Sequence, residues 1–214
     1  MDRGSHGDAD HVEGFGEIVR GFEIGAALKG APKLGDQPGL FDRAALGANA
    51  PLRPLRRGEA LDIDGAHVDV LAPFTDQPPM SDNNESLILR ITFGARSFLL
   101  TGDIEKEAEA RLVNSESDLR ADVLKVAHHG SKTSSTIAFL DRVNPEHAVI
   151  SVAKPSPFGH PHPEALERLQ NTKARIWRTS ECGAITISTD GADLRVGTFV
   201  KCESGDRSTG KDSR

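Results

Sequence analysis

The segment Ser97-Phe98-Leu99-Leu100-Thr101-Gly102-Asp103 separates two kinds of sequence pattern in this chain. Before it, short apolar runs are joined by turns rich in glycine, which is typical of β-hairpins. After it, apolar strand patterns alternate with helical spacing. The segment itself is predicted to be an apolar strand that ends in a small residue and a carboxylate. Hairpins followed by strand–helix alternation indicate a layered α/β sandwich.

The elements on either side of this segment can be predicted from apolar spacing and turn residues. A helix is expected within 15–31, and a Gly/Pro-rich passage then runs to about residue 58. Hairpins are expected over 61–73, turned at Asp64-Gly65, and over 87–101, turned around Gly94. Downstream, the expected helices cover 104–112, 134–143 and 163–169, and the expected strands cover 123–127, 148–152, 175–179, 184–189 and 194–200.

Length and charge limit the organisation of the chain. Its 214 residues suit one domain of ordinary size, which we expect over 1–202, followed by a disordered tail over 203–214. Lys and Arg number 26 against 32 Asp and Glu, and the net charge of −6 excludes a sequence-wide basic field for gripping nucleic acid. No run approaches the roughly 18 apolar residues of a membrane span. Met1 is followed by Asp2-Arg3-Gly4 in place of a leader, which predicts an unexported, cytoplasmic protein.

Cysteines and histidines are distributed differently. Cys182 and Cys202 are too few for a disulfide framework and form no CxxC pair, so we expect both to be structural or incidental. Six of the eight histidines fall in three short clusters, whereas His67 and His147 lie alone in strand-like stretches. The clustered histidines are therefore the candidates for chemistry.

The first cluster is the run Ser5-His6-Gly7-Asp8-Ala9-Asp10-His11, which packs four metal-ligating side chains into six residues. In an extended segment, Asp8 and Asp10 point the same way and His11 faces elsewhere. That geometry suits two metal ions better than one. The alternative is a polar loop or tag remnant in which His and Asp occur by chance, and the spacing alone leaves both interpretations open.

Three further clusters follow predicted strands or lie at turns. Asp103 ends the strand described above, where it either bridges two cations or caps the helix expected from Ile104. His128 and His129 follow the strand over 123–127, and His160 lies in a Gly/Pro-rich turn. Paired histidines after a buried strand each need a polar partner, which favours ligands over packing. The clusters together predict a site along one edge of a sheet.

Four motifs then resemble those of a known family: HxDxDH at 6–11, TGD at 101–103, AHHGS at 127–131 and GHP at 159–161. In combination they are similar to the metallo-β-lactamase superfamily, and specifically to the metallo-hydrolase domain of ComEC-type DNA-uptake proteins. The resemblance extends from about residue 5 to residue 191. It implies an αβ/βα sandwich, and because family members carry several strands ahead of the first motif, it implies that the N-terminal strands are missing here.

The resemblance also implies a set of metal ligands. Asp8 stands where most of the superfamily has a second histidine, and the intermediate ligand histidine has no counterpart, with Asn84 lying in that region. Asp103 corresponds to the bridging aspartate. The motifs leave open which of the two adjacent histidines is a ligand. The implied metal ligands are His6, Asp8, Asp10, His11, Asp103, His128, His129 and His160.

The implied function is hydrolysis by a water molecule that two divalent ions activate. Asp10 is the candidate for orienting or deprotonating this water, since one carboxylate can serve as ligand and base. The subgroup resemblance favours a phosphodiesterase or nuclease-like activity. The alternatives are a non-catalytic, truncated remnant or metal-binding module of the same fold, and a soluble hydrolase of small esters or lactams.

A site richer in aspartate than the family norm makes manganese and magnesium competitors of zinc. The expected partner is a small-molecule or nucleic-acid phosphodiester substrate, and no membrane segment is expected in this chain. The resemblance also admits an extracytoplasmic location, if the domain is part of a channel-type assembly.

Overall fold

The computed structural model describes residues 9–32 and 38–202 as a mixed α/β structure. Its helices are α1 (Ala9–Val12), α2 (Phe15–Gly21), α3 (Leu40–Gly47), α4 (Lys106–Val113), α5 (Ile137–Val143), α6 (Pro163–Gln170) and α7 (Thr179–Cys182), with 3₁₀ turns at Asn83–Glu85 and Ala127–Gly130. Its strands are β1 (Ala27–Gly30), β2 (Leu52–Leu55), β3 (Ala60–Ile63), β4 (Ala66–Ala72), β5 (Ile88–Phe93), β6 (Arg96–Leu100), β7 (Val123–Lys125), β8 (His147–Ile150), β9 (Arg175–Arg178), β10 (Ile185–Thr189) and β11 (Leu194–Thr198).

A seven-stranded sheet in the order β3-β4-β5-β6-β7-β8-β9 forms the centre of the fold. Strands β3 to β6 are antiparallel neighbours, as consecutive hairpins require, and β6 to β9 run parallel. Leu99 of β6 therefore pairs with Leu124 of β7, and Lys125 pairs with Val149 of β8. Because parallel strands end at the same edge, the residues that follow β6, β7 and β8 are brought together there.

The main core lies between this sheet and the helices that connect its parallel strands. Leu99, Leu124 and Ile150 are fully buried on the sheet, and they share a cluster with Leu112 of α4 and Leu140 of α5. Burying each such side chain contributes about 1.5–3 kcal/mol, so the core fixes the parallel strands in place. The edge that carries the chemistry is thus built on the most buried part of the molecule.

Two smaller sheets complete the described structure. Strands β1 and β2 pair in parallel. Ala27 of β1 forms a small buried cluster with Ala45 and Ala50. Strands β10 and β11 form an antiparallel hairpin near the end of the described chain. Cys182 of α7 and Cys202, beyond β11, form a disulfide across a sequence separation of 20 residues. The expectation that these cysteines are structural or incidental is therefore resolved in favour of a structural role.

Most of the predicted elements after residue 60 are confirmed. The β3–β4 hairpin turns at Asp64 and Gly65, both with positive φ, as a two-residue hairpin turn requires. Helix α6 begins at Pro163, where the first turn needs no backbone N–H from that residue. The predicted strand–helix alternation and the mixed α/β class are confirmed as well. The predicted tail over 203–214 lies outside the described residues.

The predictions before residue 60 are partly wrong. The helix expected within 15–31 ends at Gly21, because Phe22 adopts an extended backbone, and Ala27–Gly30 is strand β1. The passage predicted as a Gly/Pro-rich loop contains helix α3, whose start is fixed when the Gly39 N–H donates to Asp42 Oδ2 at 2.9 Å. Asp42 Oδ1 also forms an ion pair with Lys29 Nζ of β1 at 2.5 Å. This contact between β1 and α3 stabilises a helix that apolar spacing did not predict.

Candidate metal centre

The turn that follows β6 places Asp103 at the shared edge of the parallel strands. Thr101 Oγ1 donates to the Lys125 carbonyl at 2.6 Å, which ties the end of β6 to the end of β7. Gly102 has a φ of +54°, and a Cβ there would lie 2.6 Å from the Cβ of Ser86. The Ser86 hydroxyl then accepts the Asp103 N–H at 3.0 Å. Glycine is required at this position because a side chain would both strain the backbone and displace the serine that holds Asp103.

Asp103 lies between two histidines. Its Oδ1 is 3.2 Å from His11 Nε2, and its Oδ2 is 3.4 Å from His129 Nε2. Burial alone would raise the pKa of this carboxyl, but hydrogen bonds and charge from the two imidazoles hold its pKa far below the usual range. Asp103 is therefore a carboxylate throughout the physiological pH range. One ligand atom from each of the three residues lies within 4.8 Å of the others.

His129 is oriented by a backbone contact on its far side. Its Nδ1 lies 2.7 Å from the Ser151 carbonyl, which follows β8 and can only accept a hydrogen bond. Nδ1 must therefore carry a proton, which leaves Nε2 as the ring nitrogen that faces Asp103 and that can bind a metal ion when it is unprotonated. Such an arrangement, in which a backbone carbonyl fixes the tautomer, is common among metal-binding histidines. The Asp103 carboxylate raises the pKa of His129, and burial opposes that shift.

His128 faces a different carboxylate from its neighbour. Both histidines have positive φ, of 49° and 53°, so the chain turns sharply and separates their side chains. His128 Nδ1 lies 3.6 Å from Glu105 Oε1, and that oxygen also accepts the Thr133 hydroxyl at 2.6 Å. The sequence left open which histidine is the ligand. The geometry brings His129 to Asp103 and turns His128 towards Glu105.

His160 lies near the rings of both His128 and His129. Its ring centroid is 5.5 Å from that of His128 and 6.3 Å from that of His129. Burial lowers the pKa of His160, and the neighbouring histidines lower it further. A neutral imidazole is the form that binds metals. Among the described side chains, however, His160 is not within the group of ligand atoms that surrounds Asp103.

The first sequence cluster is described only in part. His6 and Asp8 lie outside the described residues, as does the side chain of Asp10. Ala9–Val12 form a helical turn, so the extended segment expected there is wrong for this stretch. His11, on that turn, is the described member of the cluster and reaches Asp103. Its Nε2 contact shows that the N-terminal motif and the TGD motif meet in space.

Asp103 does not cap α4, so the alternative interpretation of this residue is wrong. The helix begins at Lys106 and its N-cap is Glu105. The capping acceptor is the buried Asn84, whose Oδ1 receives the N–H groups of Glu105 at 2.8 Å and Ala108 at 3.2 Å. Sequence reasoning missed this role, although an asparagine in a polar run before a helix is a usual source of such acceptors.

The two isolated histidines, His67 and His147, make contacts of their own elsewhere in the fold. His67 lies exposed on β4 with Nδ1 2.8 Å from Asp62 Oδ1. His147 is buried at the start of β8, where its Nδ1 accepts the Trp177 Nε1–H at 3.0 Å. Both interactions satisfy the rings locally. Neither of these two histidines belongs to the group around Asp103.

The donor set of His11, Asp103 and His129 fits a divalent metal ion. Ligand atoms at about 2.0–2.2 Å from an ion lie no more than about 4.4 Å apart, and Asp103 meets both histidine nitrogens well within that limit. Imidazole and carboxylate together suit zinc and manganese. The centre lines a cleft of about 780 Å³. Its lining residues are Asp103, His128, His129, Ser151, Val152, Ala153, Ser156, Pro157, Phe158 and His160.

A mixed sheet with histidines and an aspartate at the ends of its parallel strands defines the class of α/β proteins that carry a metal centre at a sheet edge. The profile of the metallo-beta-lactamase superfamily matches residues 5–154, and the chain belongs to this superfamily. Members of this superfamily bind two metal ions and are typically metal-dependent hydrolases. The resemblance inferred from the four motifs is therefore confirmed.

The relatives of this chain include proteins named for competence and recombination. The chain is 37% identical over 201 residues to ComE operon protein 3 of Bacillus subtilis, covering 91% of this chain and 25% of the relative. It is 31% identical over 182 residues to competence protein ComA of Neisseria gonorrhoeae, covering 85% and 24%. It is 29% identical over 185 residues to recombination protein 2 of Haemophilus influenzae, covering 86% and 21%. The chain thus spans about a quarter of the length of these relatives.

None of the helices within 9–32 and 38–202 has the length and apolar character to cross a bilayer.

Proposed function

We propose that this chain is a metal-dependent phosphodiesterase that cleaves nucleic acid. The observation that carries the proposal is the convergence of His11, Asp103 and His129, of which Asp103 and His129 line an open cleft. A buried carboxylate between two imidazoles is costly to build unless a cation compensates its charge. The site is open to solvent on the side of the cleft, as a substrate requires.

Each residue has a distinct part in this proposal. His11, Asp103 and His129 would hold one ion, and Asp103 with His6 and Asp8 would hold a second. Two bound ions would supply an activated water and stabilise the charge that develops on a phosphodiester. Asp10 would orient this water or accept its proton. His129 is preferred to His128 because its Nδ1 contact to Ser151 fixes Nε2 towards Asp103.

His128 and His160 complete the surroundings of the centre. The Glu105 carboxylate holds the His128 ring, which in turn lies against the His160 ring. Ligation by either residue remains a prediction. Both line the cleft and are available to the substrate or to the second ion.

The substrate class is inferred from the relatives together with the chemistry. A dinuclear centre would serve phosphodiesters, lactams and thioesters alike. The names of the relatives refer to competence and recombination, processes in which nucleic acid is handled. A phosphodiester of nucleic acid is therefore the substrate that we propose. The oxygen-rich ligand set favours manganese beside zinc.

The disulfide is informative about the cellular compartment in which the protein acts. Disulfides persist in oxidising compartments and are rare in the cytosol. The pairing of Cys182 with Cys202 supports an extracytoplasmic location, against the cytoplasmic location expected from the start of the sequence. We therefore propose that the domain acts outside the cytoplasm.

Metal supplementation of the purified chain tests the proposed activity. Protein stripped with chelator is incubated with bis(p-nitrophenyl) phosphate or single-stranded DNA in the presence of manganese, zinc or magnesium. We expect hydrolysis that one of these metals restores and that Asp103→Asn abolishes, since Asp103 serves both ions. Asp141→Asn, which alters an exposed carboxylate on α5, is the matched control and should retain activity. Hydrolysis of a chromogenic ester or lactam, with no cleavage of either phosphodiester, would overturn the proposal.

A further inference from the structure

An exposed phenylalanine stands at the rim of the cleft. Phe158 is 76% exposed, yet it lines the same cleft as Asp103 and His129. Single exposed apolar residues are common on protein surfaces and need no explanation by themselves. Phe158 differs in its position, because the cleft that it borders is also lined by Asp103 and His129 of the candidate metal centre.

The loop that carries Phe158 is fixed at both ends. We call residues 151–162 the rim loop. At its start, the Val152 N–H donates to Thr179 Oγ1 at 2.8 Å, and at its end the His162 N–H donates to the Gly130 carbonyl at 2.9 Å. Within the loop, Ser156 accepts the N–H groups of Gly159 and His160. A backbone held in this way presents the ring with little conformational entropy left to lose on binding.

Aromatic rings connect the rim to the metal centre. The Phe158 ring lies 6.0 Å from the His160 ring, and the His160 ring lies 6.3 Å from that of His129. The cleft of about 780 Å³ lies within the usual range of ligand pockets, which is about 300–1,000 Å³. A ligand with a phosphate at His129 can therefore extend a flat group along this wall towards Phe158.

We propose that Phe158 is a stacking face for an unpaired base of a single-stranded nucleic acid whose phosphodiester lies at the metal centre. This inference rests on the proposed function and specifies its substrate. Bases of a duplex are stacked within the helix, so only an unpaired strand can offer a base face to an exposed ring. Pro157 and Val152 extend the apolar surface beside the ring, and Lys154, exposed on the same loop, supplies a positive charge for the strand.

Binding to two matched strands tests this inference. A fluorescently labelled single-stranded oligonucleotide and an abasic strand of the same length are titrated with the full chain in chelator, and anisotropy gives both affinities. In the wild type the base-bearing strand should bind more tightly. Phe158→Ala should lower the ratio of the two affinities about tenfold, the usual scale of stacking on one aromatic ring.

Three variants separate stacking from other effects. Phe158→Trp should keep the affinity ratio, because an indole also stacks, whereas Phe158→Leu should lower it, because leucine is apolar but has no aromatic face. Phe199→Ala is the matched control, since Phe199 is 85% exposed and is not among the residues that line the cleft. It should leave the ratio unchanged.

The inference and the proposed function fail in different ways. An unchanged affinity ratio in Phe158→Ala, or a ratio that leucine preserves as well as tryptophan does, would overturn the stacking role. Metal-dependent cleavage of DNA by the wild type would stand in either case. Conversely, wild type that binds the base-bearing strand through Phe158 but cleaves no phosphodiester with any metal would overturn the proposed activity and support the stacking face.

Discussion

At the scale of single residues, the site depends on which way two adjacent histidines turn. His128 and His129 both adopt left-handed backbone conformations, so neighbouring side chains reach different carboxylates, Glu105 and Asp103. The sequence predicts that ligands lie in this pair. It cannot distinguish them, because the deciding contact is the Ser151 carbonyl at the end of another strand. Local motifs thus identify the candidate ligands, and the fold determines which of the two histidines faces Asp103.

The first residue-scale prediction concerns this pair. His129→Asn should lower the metal content of the purified protein at least fivefold, because ligand removal typically costs a large part of the affinity. His128→Asn should leave most of the metal bound, and asparagine tolerates the left-handed backbone of both positions. Elemental analysis of proteins purified without chelator measures both. Equal losses in the two variants would refute the assignment.

A second residue-scale prediction concerns Gly102. Gly102→Ala should destabilise the protein by about 2–4 kcal/mol, because the new Cβ meets Ser86 and the backbone has positive φ. Gly58→Ala is the matched control, since Gly58 also has positive φ but has no atom within 4 Å of the added Cβ. It should cost only about 1 kcal/mol. Urea denaturation distinguishes the two, and equal costs would show that the Ser86 contact is unimportant.

At the scale of elements, the site is assembled from strand ends and from the start of α4. Hairpins and strand–helix units after residue 60 were predictable because turn residues and apolar spacing are local signals. Helix α3 was not, since its stabilisation includes the contact between Asp42 and Lys29 of β1. The role of Asn84 was likewise hidden, because the N–H groups that donate to it lie more than twenty residues further along the chain.

The element-scale prediction concerns that asparagine. Asn84→Ala should destabilise the protein by about 2–3 kcal/mol, because the N–H groups of Glu105 and Ala108 lose their buried acceptor. Asn171→Ala, at the exposed end of α6, should change stability by less than about 0.5 kcal/mol. Both are measured by urea denaturation. An Asn84→Ala variant as stable as the wild type would show that α4 starts without this cap.

At the scale of the whole molecule, the central sheet and the disulfide are the long-range features. The motifs indicated a site along one sheet edge, and the parallel order β6-β7-β8 accounts for it. The pairing of Cys182 with Cys202 could not be derived, because two cysteines can be apart or joined and their spacing does not decide. The disulfide fastens the end of the described chain to α7, beside the final hairpin.

The whole-molecule prediction is that this disulfide stabilises the fold. For a loop of this length, reduction should lower the free energy of unfolding by about 3 kcal/mol, chiefly through the entropy of the unfolded chain. Thermal unfolding with and without reductant measures the effect. The double variant Cys182→Ala/Cys202→Ala should be insensitive to reductant. A wild type whose unfolding temperature is the same under both conditions would contradict the prediction.

The most direct test of the metal centre is the metal content of wild type and Asp103→Ala, purified in parallel without chelator and analysed by elemental analysis. We expect between about one and two divalent ions per wild-type chain, and a near-complete loss in Asp103→Ala with the variant still folded by circular dichroism. Fewer than about one ion per two wild-type chains, or undiminished metal in the variant, would contradict a metal centre built on Asp103.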